Sequence, residues 1–204
     1  HFLNNEKPGL EAQIANIADE IAYNNHDIDD GLRAGLLSID GLLSCELVKM
    51  HYDDVKQKWP ELNDSRLRHE IIRRMINDVV SDLIQTSQAR IDHVQPQDIN
   101  AVRVCGKSLI KLSEEKESKH KDLKKYLRTN LYQHERVQKM ADNAKETIHI
   151  LFANYFDTPA LLKDKFKAEM DEQDAMSKAR VIADYIAGMT DRFAFSERER
   201  INGH

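Results

Sequence analysis

The sequence predicts an all-α fold, and three observations carry that expectation. Charged residues make up 32% and hydrophobic residues 41% of the 204 positions. Only 7 Gly and 4 Pro interrupt them, too few for a turn-rich β architecture. Apolar residues recur at helical spacing along most of the chain, and no segment alternates with period two. A chain of this size can remove about 70% of its unfolded surface from water, so a helical bundle needs no staple to hold a core.

The elements follow in order. Pro8-Gly9 is a breaker pair, and Ile14, Ile17 and Ile21 follow at i, i+3 and i+7. They predict a first helix from about Leu10 to Asn24 or a little beyond, with those three isoleucines as its buried stripe. Gly31 and Gly35 are expected to flank a short second helix. Leu42, Leu43, Leu47 and Val48 mark a third, with Asp40 as its N-cap. Trp59-Pro60 ends that region, and Asn63-Asp64-Ser65 is a capping cluster for a long helix whose apolar positions run from Leu67 to about Ile91. Pro96-Gln97-Asp98 breaks it. From Lys107 to Asn130 the chain is charged and helix-forming, and Val137 to Phe156 is again periodic until Asp157-Thr158-Pro159. The last strong helix is expected from Ala179 to Arg192, with Val181, Ile182, Tyr185, Ile186 and Met189 buried.

Composition also narrows the function classes. The formal net charge of −5 argues against a nucleic-acid binder held by overall charge, though a local basic patch stays open. No apolar run approaches the ~18–20 residues of a membrane span. Cys45 and Cys105 are isolated thiols without a CxxC pattern, so neither a disulfide scaffold nor a zinc knuckle is expected. The chain reads as reduced and cytoplasmic, with no membrane partner. It opens at His1 and its first Met is Met50, so we read it as a fragment or processed product.

The densest polar cluster runs from Asp19-Glu20 through Tyr23 to His26-Asp27-Ile28-Asp29-Asp30-Gly31. At about 100° per residue, Asp19, Tyr23, His26 and Asp27 share one helix face if the helix reaches that far. Such a face offers carboxylate oxygens of the kind hard divalent ions take, and a phenol for a phosphate. The same residues also fit the wet side of an ordinary amphipathic helix. An EF-hand is excluded on spacing.

The segment Leu10-Glu11-Ala12-Gln13-Ile14-Ala15-Asn16-Ile17-Ala18-Asp19-Glu20-Ile21-Ala22-Tyr23, followed by His26-Asp27-Ile28-Asp29-Asp30-Gly31, resembles a motif of the deoxyguanosine-triphosphate triphosphohydrolase-like (dGTPase-like) HD-domain phosphohydrolases. Tyr132-Gln133-His134-Glu135-Arg136-Val137 is similar to the family's YxHxRV element, and Asp184 to Arg192 to its DYIAGMTDR element. The resemblance implies hydrolysis of a deoxynucleoside triphosphate to nucleoside and triphosphate. It implies a divalent metal, Mg2+ or Mn2+, bound by a His, a His-Asp pair and a distant Asp. That distant Asp matches Asp19. Glu20 would lie beside the α-phosphate, Tyr23 would touch phosphate or sugar, and Asp27 would accept the sugar 3′-hydroxyl. Residues 1–35 would be the end of the HD-type catalytic domain and 36–204 a C-terminal helical domain. The family's upstream His and His-Asp pair belong before Leu10, so no catalytic residue is identified here and the chain is expected to be inactive alone. His26-Asp27 follows the family's Asp and is not the metal pair. The resemblance also implies a homo-oligomer.

Two basic groups complete the reading. Arg66, Arg68, His69, Arg73 and Arg74 open the long helix, and Arg66 or His69 is a candidate phosphate contact, with solvation or carboxylate pairing as the alternative for the set. Lys119, Lys121, Lys124, Lys125 and Arg128 form a second run whose ordinary reading is a solvated helix face and whose functional reading is contact with single-stranded DNA or an effector nucleotide, with Tyr126 and Tyr132 as stacking candidates; Tyr126 fits equally well as core. His134 and His149 show no metal-ligand spacing, and Ser38, Ser44 and Cys45 show no nucleophile elbow. The alternative to the enzyme reading is a non-catalytic helical module for oligomerisation or regulation, binding nucleotide or single-stranded DNA.

Overall fold

The computed structural model describes residues 6–168 and 174–203, which are helical throughout their regular parts with no strand among them. They form two compact units, up to His134 and from Glu135 onward.

The first unit opens with α1 (Leu10–Arg33), nine residues longer than its expected core. Gly31 is the reason the helix continues. Its missing Cβ leaves room for Leu37 to fold back: a methyl there would sit 2.6 and 2.8 Å from Leu37 Cδ1 and Cγ. The Leu36 and Leu37 amides both donate to the Gly31 carbonyl, at 2.9 and 3.0 Å. The left-handed position that ends the turn is Gly35, with φ +66°. The buried stripe of α1 is also rotated from the expected one. Ile14 is 48% exposed, while Gln13, Ile21, Asn24, Asn25 and Ile28 are buried. Periodicity identifies a stripe but not its centre, and here an amide takes the place of an isoleucine.

Ser38, not Asp40, caps the short α2 (Ile39–Leu42), its Oγ accepting from the Gly41 amide at 3.1 Å. Asp40 lies inside the helix, and α3 (Glu46–Lys58) starts separately after Cys45. The long α4 (Asp64–Val94) begins as expected, with Asn63 Oδ1 accepting from the Arg66 amide at 3.0 Å. It buries Leu67, Ile71, Met75, Val79 and Leu83, each one helical turn from the next. Asp98 caps α5 (Ile99–Val104).

Residues 105–113 are not helical, although the charged run had suggested a helix from Lys107. Gly106 turns at φ +74°, and Leu109, Ile110 and Leu112 are all buried. The backbone is satisfied from outside: Gln13 Oε1 accepts from the Leu109 and Ile110 amides at 2.9 and 3.2 Å, and Ser87 Oγ from Lys111 at 3.1 Å. Ser113 then caps α6 (Glu114–Leu127), which passes into a π-helical turn, Arg128–Tyr132. Helix α1 packs on α4 and α6, and α3 packs on the same two helices.

The second unit holds α7 (Glu135–Asp157), α8 (Asp164–Ala168), α9 (Ala175–Ala187) and α10 (Asp191–Asn202). Its core is Leu151, Tyr155, Leu162, Ile182, Tyr185 and Ile201. The single last helix expected over 179–192 is two. Gly188 closes α9, and Thr190 Oγ1 accepts from the Phe193 amide at 3.4 Å to start α10, so Asp191 and Arg192 belong to the new helix.

Candidate functional site

The extra turns of α1 decide the site, because they carry the polar cluster on one continuous helix. Asp19 and Tyr23 face outward, Tyr23 with 62% of its surface exposed. Asp19 has no hydrogen bond or ion pair among the described residues. His26 is exposed beside them.

The next line of α1 side chains meets α6. Glu20 Oε1 lies 3.2 Å from Lys124 Nζ and 3.5 Å from His120 Nδ1. On the other side of that ring, Asn24 Nδ2 donates to His120 Nε2 at 3.0 Å. With Asn24 as donor, the proton of His120 sits on Nδ1, towards Glu20. Burial lowers the His120 pKa below its ordinary value, against the attraction of Glu20. Burial thus favours the neutral imidazole, whose Nδ1 side faces the partly exposed Glu20 carboxylate.

Asp27, one turn further on, accepts a hydrogen bond from the Tyr132 hydroxyl. Tyr132 is delivered by the π-helical turn, whose altered pitch buries Leu131 and brings the next residue onto α1. Desolvation, then the bond to Asp27, with Tyr23 close by, pushes the Tyr132 pKa up to about 12. Tyr132 is a neutral donor at physiological pH.

Asp19, Glu20, Tyr23 and Asp27 therefore form one face, bordered by His120 and Lys124 of α6 and by Tyr132. Three carboxylates stand against the single Lys124 ammonium, so the face favours a cation and repels a bare polyphosphate. Among the described residues no three His, Cys, Asp or Glu side chains are placed to hold a metal. Asp19 supplies one carboxylate, which by itself does not make a coordination sphere.

Arg66 and His69 lie elsewhere. His69 Nε2 is 3.4 Å from Arg33 Nη2, at the last residue of α1. Asp19 is fourteen residues away along that helix, about 21 Å at 1.5 Å per residue. The other cations of this basic set are paired. Arg68 Nε and Arg33 Nε hold Asp29 at 2.7 and 2.8 Å. Arg73 and Arg74 share Glu70, and Arg74 also meets Asp54. Hydrogen bonding from Arg73, then from Arg74, pulls the Glu70 pKa down to about 2. In the second run, Lys119 binds Glu46 and Glu115, and Lys121 binds Glu117. Tyr126 packs against the core.

The sequence does not mark His120 as a site residue, and it places Lys124 only in the second basic run, not beside Glu20. A signal for His120 existed: His120, Leu123, Leu127 and Leu131 sit at i, i+3, i+7 and i+11, which places the histidine on the buried stripe of its helix.

This is an all-α chain whose residues 110–200 match the family model of the phosphohydrolase-associated domain. It is 42% identical over 193 residues to deoxyguanosinetriphosphate triphosphohydrolase-like protein 1 of Mesorhizobium japonicum, covering 95% of this chain and 48% of the relative. Proteins named deoxyguanosinetriphosphate triphosphohydrolase-like from Nitrosomonas europaea and Ralstonia pickettii are also 42% identical, over 98% of this chain and 52% and 50% of their own lengths. The resemblance read from the motifs is thus shown over nearly the whole chain, which spans about half the length of these curated relatives.

Proposed function

We propose that this chain is the C-terminal part of a metal-dependent deoxynucleoside triphosphate triphosphohydrolase and forms one wall of its nucleotide pocket. The observation that carries the reading is the continuous face of Asp19, Glu20, Tyr23 and Asp27 on α1, with Glu20 met by α6 and Asp27 by the π-helical turn. Residues 1–35 would close the catalytic domain, and 36–204 would form the helical domain.

In this reading Asp19 offers its carboxylate to a divalent ion, Mg2+ or Mn2+, whose other ligands come from the remainder of the parent protein. When bound, that ion would supply charge neutralisation at the phosphates. Glu20, met by His120 and Lys124, stands beside the phosphates. Tyr23 contacts phosphate or sugar. Asp27 keeps one carboxylate oxygen for Tyr132 and offers its remaining lone pairs to the sugar 3′-hydroxyl; a group lacking that donor would leave a polar acceptor unmatched. The chain works in the cytoplasm, as part of a homo-oligomer, and does not hydrolyse substrate without the rest of the protein.

The test is triphosphate release from a deoxynucleoside triphosphate by the intact parent enzyme. Asp19→Asn is expected to lower kcat about 100-fold or more, through loss of a charged ligand to the ion that would neutralise the phosphates. Wild-type turnover by Asp19→Asn, or metal-dependent hydrolysis by the 204-residue chain alone, would refute the corresponding half of the reading.

A further inference from the structure

We propose that the corner between α3 and α4 is a second ligand site, which takes a nucleotide by stacking its base on Trp59 and gripping its phosphate with Arg66. This goes beyond the function proposed above and does not rest on it.

The corner is a cavity of about 470 Å³ lined by Trp59, Leu62, Arg66, His69, Glu70 and Arg73. That volume lies within the roughly 300–1,000 Å³ of small-molecule sites. Trp59 is the chain's one tryptophan, and 44% of its surface is exposed although it is a large apolar ring. The Arg74 guanidinium sits 5.2 Å from its ring centroid and holds the indole in place. An exposed, braced indole is a stacking platform for any base, because every base has a π-face.

The charges around that ring suit a phosphate. Two guanidinium groups, Arg66 and Arg73, face one carboxylate, Glu70, and Glu70 is already consumed by Arg73 and Arg74. Arg66 is different. Its backbone amide is used by the Asn63 cap, but its guanidinium has no carboxylate partner among the described residues. A fork of free N–H donors beside an open aromatic ring matches a phosphate attached to a flat ring. An apolar ligand would leave Arg66 unused, and a bare inorganic anion would leave Trp59 exposed.

The indole itself reports the result. The 204-residue chain is titrated with dATP in the absence of divalent metal, and Trp59 emission is followed with excitation at the red edge of the indole band. Saturable quenching is expected. Arg66→Ala is expected to weaken the affinity about tenfold or more, with an unchanged circular dichroism spectrum because Arg66 is exposed on the first turn of α4. Lys145→Ala, an exposed cation on α7, is expected to leave affinity unchanged. Inorganic triphosphate is expected to bind about tenfold more weakly than dATP, for want of a ring to stack. Absence of quenching, quenching insensitive to Arg66→Ala, or equal affinity for inorganic triphosphate each overturns the proposal. So does calorimetric binding of dATP that leaves Trp59 emission unmoved. None of these readouts depends on hydrolysis or on Asp19, so this site and the proposed catalytic role stand or fall separately.

Discussion

Tyr132 and Asp27 are separated by 105 positions in sequence and joined by one hydrogen bond. Desolvation and that bond raise the phenol above its ordinary pKa, to about 12. The sign for stability follows. An acid whose folded pKa is raised keeps its stabilising effect below the unfolded value near 10 and loses it as pH climbs from there towards 12. Replacing Asp27 by Asn removes the negative acceptor, so the Tyr132 titration midpoint should fall in an alkaline absorbance titration. An unchanged midpoint would show that the bond contributes nothing beyond burial. Gly31 is the second position where one atom decides. Alanine there would gain about 1 kcal/mol of helix propensity. The added methyl would meet the buried Leu37 side chain at 2.6 Å, and overpacking of this kind costs about 1–3 kcal/mol. The clash should win, and urea unfolding of Gly31→Ala should show a net loss of about 1 kcal/mol.

Helices α1 and α6 depend on side chains that sequence patterns treat as surface. Gln13 is 6% exposed, donates to the Pro8 carbonyl at 2.8 Å and accepts from two amides of the 105–113 loop. It stitches the start of α1 to the segment that leads into α6. Gln13→Leu keeps bulk but strands two buried N–H groups, and the desolvation penalty should lower unfolding stability by about 2 kcal/mol or more. Amide exchange at Leu109 and Ile110 should quicken in the same variant; protection equal to wild type would mean that the loop finds other acceptors. The start of α4 was legible because the Asn63 side chain advertises it, whereas Asp98 was read only as a breaker and Ser113 was passed over. Helix ends were not legible where packing overrides the local signal. Gly31 looked like punctuation, and the 107–113 segment looked like helix, because what decides each is packing outside the helix: the turn back to Leu37 and the approach of Leu131 for the one, Gln13 and Ser87 for the other.

At the level of the whole molecule, each compact unit has its own core, and the second is pinned by a buried polar pair. Tyr155 is fully buried and donates to Glu197 Oε1 at 2.7 Å, while Arg200 Nη2 holds the same oxygen at 2.6 Å. Burial, then the bond to Glu197, raises the Tyr155 pKa well above its usual value. Tyr155→Phe should lose about 2 kcal/mol, the worth of a hydrogen bond to a charged group, read as faster amide exchange in α7 and α10. No change there would place the stability of the unit in its apolar packing alone. The sequence by itself determined that this protein is helical, where most of its helices lie, and that α1 carries Asp19, Tyr23 and Asp27 at one-turn spacing, because helical periodicity is a local property of the chain. Only the tertiary structure decided that Glu20 is set by His120 and Lys124, that Tyr132 closes on Asp27, and that Arg66 and His69 line a cavity with Trp59, His69 lying against Arg33 at the far end of α1 from Asp19. Those relations join residues up to 105 positions apart, and which side chains meet across such a distance is settled by how whole helices pack, not by the spacing within any one of them.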